Sequence, residues 1–298
     1  MTAAENRAAP TSTPPSPDCG GRSGRGYSGP LGIIAGSGGL PARLIESCRA
    51  GGREVFVLAL QGEADPATVA RVPHAWCRLG GAATGLDVLR AHGVGELVLA
   101  GGVRRPSLAA LRPDWRAAKF FAKVGYRALG DDGLLSAIVK ELEREGFRVL
   151  GADDLLGGAD MPEGPLGRVR PDALAAADIR RGMQIARAIG ALDIGQAAVV
   201  QQGLVLGVEA IEGTDALLRR VAGLRRDGPG GVLVKAEKPG QERRADRPTI
   251  GPQTVSLAAE SGLRGVAAQA GATIVLDRLE TVRRADSAGL FVVGVRPE

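Results

Sequence analysis

Short runs of uninterrupted apolar residues, separated by helical patterns, constrain the fold of this chain more than any other feature. Residues 31–35 read LGIIA and residues 53–60 read REVFVLAL, and a helical pattern that begins at Pro41 lies between them. Strands that are apolar on both faces are typical of a parallel sheet covered by helices on both sides. The sequence therefore predicts an N-terminal Rossmann-like domain, with strands at 31–35, 53–60, 74–80 and 96–103 and helices at 41–50 and 82–92.

The second half of the chain also alternates strands and helices, but it includes a hairpin that turns at Gln202-Gly203. A Gly-Asp-Asp-Gly break at 130–133 places the domain boundary. Residues 1–29 are rich in Pro, Ser, Gly and Arg and are predicted to be a disordered tail. The predicted units are thus a Rossmann-like domain at 30–130 and a C-terminal α/β catalytic domain at 131–298, with helices at 134–146, 172–190, 214–225 and 253–263, strands at 147–152, 231–238, 272–278 and 290–296, and a loop at 155–172.

Composition argues against several classes of protein. The 298 residues carry a net charge of +5, but the arginine pairs are scattered and aromatic residues make up only 3%, so no nucleic-acid partner is expected. The three cysteines form no CxxC pair, which favours a reducing compartment. No apolar run approaches the roughly 18 residues of a membrane span. Because a signal peptide is also not apparent, a cytoplasmic location is expected.

Glycine-rich turns follow three of the predicted strands. Gly36-Ser37-Gly38-Gly39 lies between the first strand and the first helix, where backbone N–H groups can approach a phosphate. Pro41 occupies the third glycine position of the dinucleotide fingerprint, and the second strand lacks a terminal acid, so NAD binding is disfavoured. The alternative is a tight turn that binds nothing. Substrate contacts are predicted at Gly36, Ser37, Gly38, Gly80 and Gly102.

Acidic residues are densest between the hairpin and the following helix. Glu209, Glu212, Thr214 and Asp215 lie within seven positions, with Asp215 in the first turn of the predicted helix. Mg²⁺ prefers carboxylate oxygens and retains several waters for substrate phosphates. The segment therefore predicts a catalytic cation site. The alternative is that Thr214 caps the helix and the acids only complement its dipole.

A third polar run follows the predicted strand at 231–238. Lys235 and Lys238 lie at the strand end, where cations could bind phosphate oxygens. They are three residues apart, so a continuous strand would direct them to opposite faces, unless the strand ends by Ala236, as the nearby Pro239 would allow. The alternative is a solvated run of charges.

Five segments of the sequence resemble the LpxI-type UDP-2,3-diacylglucosamine pyrophosphatases. The two most specific are VLGVEAIEGTDALLRR at 205–220 and KAEKPGQERRADRPTIG at 235–251. LGIIAGSGGLP at 31–41, LDIGQAAVV at 192–200 and AGLFVVGV at 288–295 agree with them. The resemblance runs from about residue 31 to the C-terminus.

The resemblance implies hydrolysis of UDP-2,3-diacylglucosamine to UMP and 2,3-diacylglucosamine 1-phosphate (lipid X) in lipid A biosynthesis, with Mg²⁺ or another divalent cation. It implies that Asp215 is the critical residue, with Glu212 and Thr214 beside it, and that the lipid is held between the two domains. The expected metal ligands are Asp215, Glu209 and Asp246, and the expected substrate contacts in this half of the chain are Gln196, Lys235, Lys238, Gln241 and Arg244.

A lipid substrate further implies transient contact with the cytoplasmic face of the inner membrane, and a homodimer is an additional expectation. Two other classes of function stay open from the residues. One is a nucleotide-sugar oxidoreductase on a Rossmann-like domain, which a titration with NAD would test. The other is a non-catalytic nucleotide- or lipid-binding module, which Mg²⁺-dependent release of UMP would exclude.

Overall fold

The first half of the chain folds around a five-stranded parallel sheet, as the apolar strands predict. A computed structural model describes residues 29–104, 113–124 and 131–297. The strand order is β3-β2-β1-β4-β5, and every neighbouring pair is parallel. The strands are β1 (Leu31–Ala35), β2 (Val55–Leu60), β3 (His74–Cys77), β4 (Glu96–Ala100) and β5 (Arg148–Leu150); the helices are α1 (Leu40–Ala50), α2 (Pro66–Val69), α3 (Ala82–Ala91), α4 (Trp115–Val124), α5 (Asp131–Arg144) and α6 (Ala152–Leu155).

Both faces of this first sheet are covered by apolar side chains from the helices. Leu44 of α1 packs with Ile33 of β1 on one face, whereas Leu89 of α3 and Val139 of α5 pack with Leu97 of β4 on the other. This two-sided burial explains why the strands are apolar throughout their length rather than at alternate positions.

The second half contains a mixed six-stranded sheet in the order β6-β13-β11-β9-β7-β8. A separate pair of two-residue strands, β10 and β12, is parallel. The strands are β6 (Gly164–Pro165), β7 (Ala197–Gln201), β8 (Leu204–Val208), β9 (Val232–Lys235), β10 (Thr249–Ile250), β11 (Gly265–Gln269), β12 (Ile274–Val275) and β13 (Phe291–Val295); the helices are α7 (Ala173–Ala191), α8 (Gly213–Ala222), α9 (Pro252–Glu260) and α10 (Arg278–Ser287).

One edge of this second sheet collects most of the polar segments predicted from the sequence. Strands β9, β11 and β13 are parallel to one another, and β8 has the same direction because β7 is antiparallel to both β8 and β9. The residues that follow β8, β9, β11 and β13, and those that precede β7, therefore meet at one end of the strands. We call this end of the sheet, where the parallel strands have their carboxyl ends, the carboxyl edge. Ligands of open α/β sheets bind at such edges.

The two faces of the second sheet are covered by different helices. Val232 and Val234 of β9 pack with α7 residues such as Met183, whereas Leu233 packs with Leu217 of α8 and with Val255 of α9. The alternation of side chains along a strand assigns odd-numbered residues of β9 to the α8 face and even-numbered ones to the α7 face.

The structure corrects four details of the predicted architecture. The first sheet includes β5, so the boundary predicted between residues 130 and 131 falls within the part of the chain that builds this sheet. Strand β11 was not predicted, because its sequence GVAAQ is rich in small residues and has no aliphatic run; it lies between the helix predicted at 253–263 and the strand predicted at 272–278. The strand predicted at 272–278 is reduced to the two residues of β12, and the predicted loop at 155–172 contains β6. The predicted tail falls almost wholly outside the described residues.

The small β10–β12 sheet connects the two halves. Ile274 and Leu276 pack into the core that covers β1 and α1 of the first half. The buried Arg247 guanidinium pairs with Asp153 at 3.0 Å and with Asp160 at 2.7 Å. These contacts hold the segment that follows the carboxyl edge of the second sheet against the first domain.

Within the described ranges, no helix is both long enough and apolar enough to cross a membrane.

Replacing Gly265 by alanine is expected to destabilise the fold because β11 contacts β13 too closely for a side chain. A Cβ atom at Gly265 would lie 2.3 Å from a ring carbon of Phe291, which is almost fully buried. Overpacking of this kind costs about 1–3 kcal/mol of unfolding free energy, measurable by urea denaturation. Gly157→Ala is the matched control, because a Cβ there meets nothing within 4 Å. Equal stability of Gly265→Ala and the wild type would contradict the strand packing described here.

Candidate active site

Four polar groups form a continuous hydrogen-bonded chain at the carboxyl edge. The Lys235 ammonium donates to the Thr214 hydroxyl at 2.9 Å and to the Thr249 carbonyl at 3.1 Å. The Thr214 hydroxyl donates to Glu209 Oε1 at 2.5 Å, and Glu209 Oε2 accepts from the Gln196 backbone N–H at 3.0 Å. Thr214 thus lies between a cation and an anion, and all four residues fall on motifs noted in the sequence.

Burial makes these contacts structurally demanding. Glu209 and Lys235 are each only 6% exposed, and a charged group that is withdrawn from water must be paired and hydrogen-bonded. The backbone of Glu209 also packs closely against Gly195, because a Cβ atom on Gly195 would lie 2.2 Å from the Glu209 carbonyl oxygen. The chain of contacts fixes the loop before β7, the end of β8 and the start of α8 relative to one another.

Asp215 lies next to this chain, in the first turn of α8. Its Oδ2 atom accepts a hydrogen bond from the Gln253 side-chain amide at 2.9 Å. Gln253 is the second residue of α9 and was not predicted as a site residue, although it lies only two positions beyond the PTIG segment that ends the second specific motif. Helices α8 and α9 both begin at the carboxyl edge, which explains how residues 38 positions apart meet.

Glu212 is directed into a surface ion pair rather than into the cluster. Its carboxylate pairs with Arg220 at 2.7 Å, and Arg220 also donates to the Val208 carbonyl at 2.9 Å. Hydrogen bonding to its own backbone N–H, together with Arg220, holds the pKa of Glu212 below its ordinary value. These contacts assign Glu212 to closing the loop between β8 and α8.

The two lysines of the second motif lie on opposite faces of the second sheet. Lys235 extends to the α8 face, but the chain leaves β9 after it, and Lys238 packs against Gly190 of α7 on the opposite face. The Lys238 ammonium pairs with Asp193 at 2.7 Å. Gln241 accepts from the Lys238 backbone N–H at 3.0 Å and donates to Asp246 at 2.6 Å. The opposite-face alternative noted for the two lysines is therefore the one that the structure adopts.

Arg244 is engaged in ion pairs at the surface. It forms a two-point contact with Glu242, at 2.9 and 3.0 Å, and reaches Glu143 of α5 at 2.6 Å. Its neighbour Arg247, which was not predicted, is the buried arginine that joins the two halves. The charged segment ERRADR contains no sequence signal that distinguishes the surface arginine, Arg244, from the buried one, Arg247.

The glycine-rich turns of the first domain contact each other. The Ser37 backbone N–H and hydroxyl both donate to the Gly102 carbonyl, at 2.8 and 2.9 Å, and the Gly102 N–H donates back to Ser37 at 3.0 Å. Gly36 has no room for a side chain, because a Cβ atom would lie 2.3 Å from the Gly102 carbonyl oxygen. Gly80 accepts from the Asp114 N–H at 2.9 Å. Several groups predicted to bind phosphate are thus already paired internally, while Gly38 has open space beside it.

The predicted three-carboxylate metal set is not assembled among the described residues, where no group of three or more His, Cys, Asp or Glu side chains is placed to hold a metal ion. Glu209 is bonded to Thr214 and Gln196, and Asp246 accepts from Gln241. Asp215, by contrast, uses Oδ2 for Gln253 and is partly exposed at the edge. A single carboxylate can hold Mg²⁺ when substrate phosphates and waters complete its shell, so Asp215 fits that arrangement and the set of three does not.

The fold and the cluster define a two-domain α/β protein whose candidate site lies at the carboxyl edge of its second sheet. Residues 30–159 match the LpxI N-terminal domain, and residues 162–293 match the LpxI C-terminal domain. The chain is 46% identical over 275 residues to the UDP-2,3-diacylglucosamine pyrophosphatase LpxI of Caulobacter vibrioides, which covers 90% of this chain and 98% of that relative. This chain therefore belongs to the LpxI family. The resemblance drawn from the motifs is confirmed, and the two matched segments meet close to the end of the first sheet.

Proposed function

We propose that this protein hydrolyses UDP-2,3-diacylglucosamine to UMP and 2,3-diacylglucosamine 1-phosphate in lipid A biosynthesis. The observation that carries the proposal is the juxtaposition of Asp215 with the Lys235–Thr214–Glu209 chain at the carboxyl edge. The relative at 46% identity bears the name of this activity. A buried ammonium beside an accessible carboxylate is suited to a pyrophosphate, because it combines charge neutralisation with a group that can orient water.

In the proposed reaction a water oxygen forms a bond to one phosphorus of the pyrophosphate. The bond from that phosphorus to the bridging oxygen breaks, and the bridging oxygen leaves with its electron pair on the other phosphate. Lys235 stabilises the negative charge that develops on the phosphate oxygens, and Asp215 positions the water and the substrate. Glu209 and Thr214 act as positioning residues, since they hold the Lys235 ammonium at the edge.

A divalent cation such as Mg²⁺ is part of the proposal. Asp215 would hold it together with the phosphate oxygens, in keeping with the preference of Mg²⁺ for one or two carboxylates and several waters. When bound, the cation would withdraw charge from the pyrophosphate and so favour attack by water.

Asp215→Ala is expected to remove nearly all UMP release while leaving the melting temperature unchanged. A carboxylate in a first helical turn contributes only ~0.3–1 kcal/mol to helix stability, whereas loss of a metal contact or of a group that orients water costs orders of magnitude in rate. UMP release should be measured with added Mg²⁺ and with EDTA, which is expected to abolish it.

Glu280→Ala is the matched control, because Glu280 is also a carboxylate in the first turn of a helix, α10. It should retain full turnover. If Asp215→Ala released UMP within about threefold of the wild-type rate, Asp215 would not be the group on which the reaction depends. Undiminished turnover in EDTA would remove the divalent cation from the proposal.

Lys235→Met is expected to lower kcat/KM by about tenfold to a thousandfold, which corresponds to ~1.4–4 kcal/mol of transition-state stabilisation. Methionine keeps most of the length of the side chain and removes the ammonium. Because Lys235 also supports Thr214, the melting temperature must be recorded with the kinetics. Lys140→Met, on the exposed surface of α5, should behave like the wild type. Wild-type kinetics in Lys235→Met would place the phosphate elsewhere.

Transient contact with the inner-membrane surface is a further part of the proposal, since the substrate carries two acyl chains. Two loops at the carboxyl edge expose aliphatic side chains beside the site. Leu192 is 71% exposed and Ile194 is 46% exposed in the segment before β7, and Ile211 is 90% exposed in the loop after β8. The two segments are close together, because a Cβ atom on Gly195 would lie 2.2 Å from the Glu209 carbonyl oxygen. A homodimer stays a prediction.

Ile211→Ser and Leu192→Ser are each expected to weaken co-sedimentation with phosphatidylglycerol–phosphatidylethanolamine vesicles by about tenfold, since burying such a side chain in an apolar phase is favourable by ~1.5–3 kcal/mol. Binding should persist at high salt, because insertion rather than charge supports it. Leu224→Ser is the control, because Leu224 is 49% exposed beyond the far end of α8. Equal sedimentation of all three variants and the wild type would contradict a membrane contact at these loops.

A further inference from the structure

A pocket of about 250 Å³ opens on the α7 side of the carboxyl edge. Arg187 of α7 lines it together with Lys238 and Arg243 of the loop after β9, and Gln269 at the end of β11 completes one wall. The ends of three parallel strands, β9, β11 and β13, meet beside it. The pocket therefore occupies the position at which open α/β sheets bind their ligands.

The pocket and the Asp215 cluster lie on opposite faces of the same strand end. Lys235 reaches Thr214 on the α8 face, whereas Lys238 lies on the α7 face against Gly190. Three residues of fully extended chain span at most about 10 Å, so the backbone positions of the two lysines are no further apart than this. One extended ligand could therefore contact both places across the end of β9.

The lining of the pocket favours an anionic and polar ligand. Three cations, Arg187, Lys238 and Arg243, and a single carboxylate, that of Glu237, line the pocket. The Gln241 and Gln269 side chains add amide groups, and the apolar part of the lining consists only of prolines and a glycine. No leucine, isoleucine, valine or aromatic side chain lines it, so it is unsuited to an acyl chain.

Carboxylates hold two of these cations in place before any ligand arrives. Glu237 forms a two-point contact with Arg243, at 2.5 and 2.7 Å, and Asp193 fixes Lys238 at 2.7 Å. Glu237 is itself oriented by its backbone N–H, which donates to Gln269 at 3.1 Å. Side chains ordered in this way lose less entropy when a ligand binds.

We propose that this pocket binds the nucleoside monophosphate half of the substrate, which becomes UMP after hydrolysis. The proposal rests on the proposed function. It assigns the uridine and the phosphate attached to it to the α7 face, the bridging oxygen of the pyrophosphate to the end of β9, and the second phosphate with the acylated sugar to the side of Asp215. The division of the second motif between two faces then has a chemical reason, since each lysine serves a different part of one ligand.

The experiment is calorimetric titration of the full chain with UMP, with uridine and inorganic phosphate as separate probes. Arg187→Ala and Arg187→Glu should weaken UMP binding at least tenfold without a change in melting temperature. Arg180→Ala is the control, because Arg180 is exposed on the same helix two turns earlier, and it should bind UMP within twofold of the wild type. In turnover, Arg187→Ala should raise KM more than it lowers kcat.

Three results would overturn the pocket assignment. One is wild-type UMP affinity in Arg187→Glu, another is loss of UMP binding in Lys235→Met but not in Arg187→Glu, and the third is no detectable UMP binding by the wild type. Asp215→Ala separates this proposal from the proposed function, because it should still bind UMP while it no longer releases UMP from substrate. UMP binding that depends on Arg187 in a protein without hydrolytic activity would contradict the proposed reaction and leave the pocket standing. Hydrolysis of the substrate by a protein whose UMP affinity does not depend on Arg187 would support the proposed reaction and contradict the pocket assignment.

Discussion

The burial of Glu209 and Lys235 at one sheet edge is the constraint on which the candidate site depends. Neither charge has enough water around it to be stable alone, and the Thr214 hydroxyl is the atom that joins them. Breaking one partner of such a chain would strand the other, which is far more costly than the net worth of the pair. Because these residues come from the end of β8, the start of α8 and the end of β9, pairing them also determines where three segments of backbone lie. Asp215 directly follows Thr214, so this arrangement also determines its position, and Gln253 of α9 donates a hydrogen bond to its carboxylate.

The second sheet does more than support this cluster, because it separates the residues of one motif. Within KAEKPGQERRADRPTIG, Lys235 reaches the α8 face, Lys238 and Arg243 line the pocket on the α7 face, and Arg247 joins the two domains. A motif that is continuous in sequence thus takes part in three separate structural tasks. Lys238 packs closely against Gly190, and Gly195 lies so close to the Glu209 carbonyl that a side chain there would not fit.

The first domain is tied to this edge through the small β10–β12 sheet. Thr249 of β10 accepts from Lys235, while Ile274 of β12 packs in the core of the first domain. The glycine-rich turns that follow β1 and β4 bond to each other through Ser37 and Gly102. Because the two turns pack against each other, a side chain at Gly36 would meet the Gly102 carbonyl oxygen, which explains the requirement for glycine there without any ligand.

The sequence alone determined the fold class, because apolar runs and glycine turns are local signals that survive without tertiary information. It also determined the hairpin at Gln202-Gly203 and the motifs on which Glu209, Asp215 and Lys235 lie. Tertiary structure alone decided that β11, a small-residue strand, is central to the second sheet, because its burial depends on neighbours distant in sequence. It also decided that Glu212 pairs with Arg220, that Gln253 reaches Asp215, and that the two lysines diverge. Contacts between side chains that are tens of residues apart in sequence depend on how helices and strands pack, and no local sequence pattern specifies this packing.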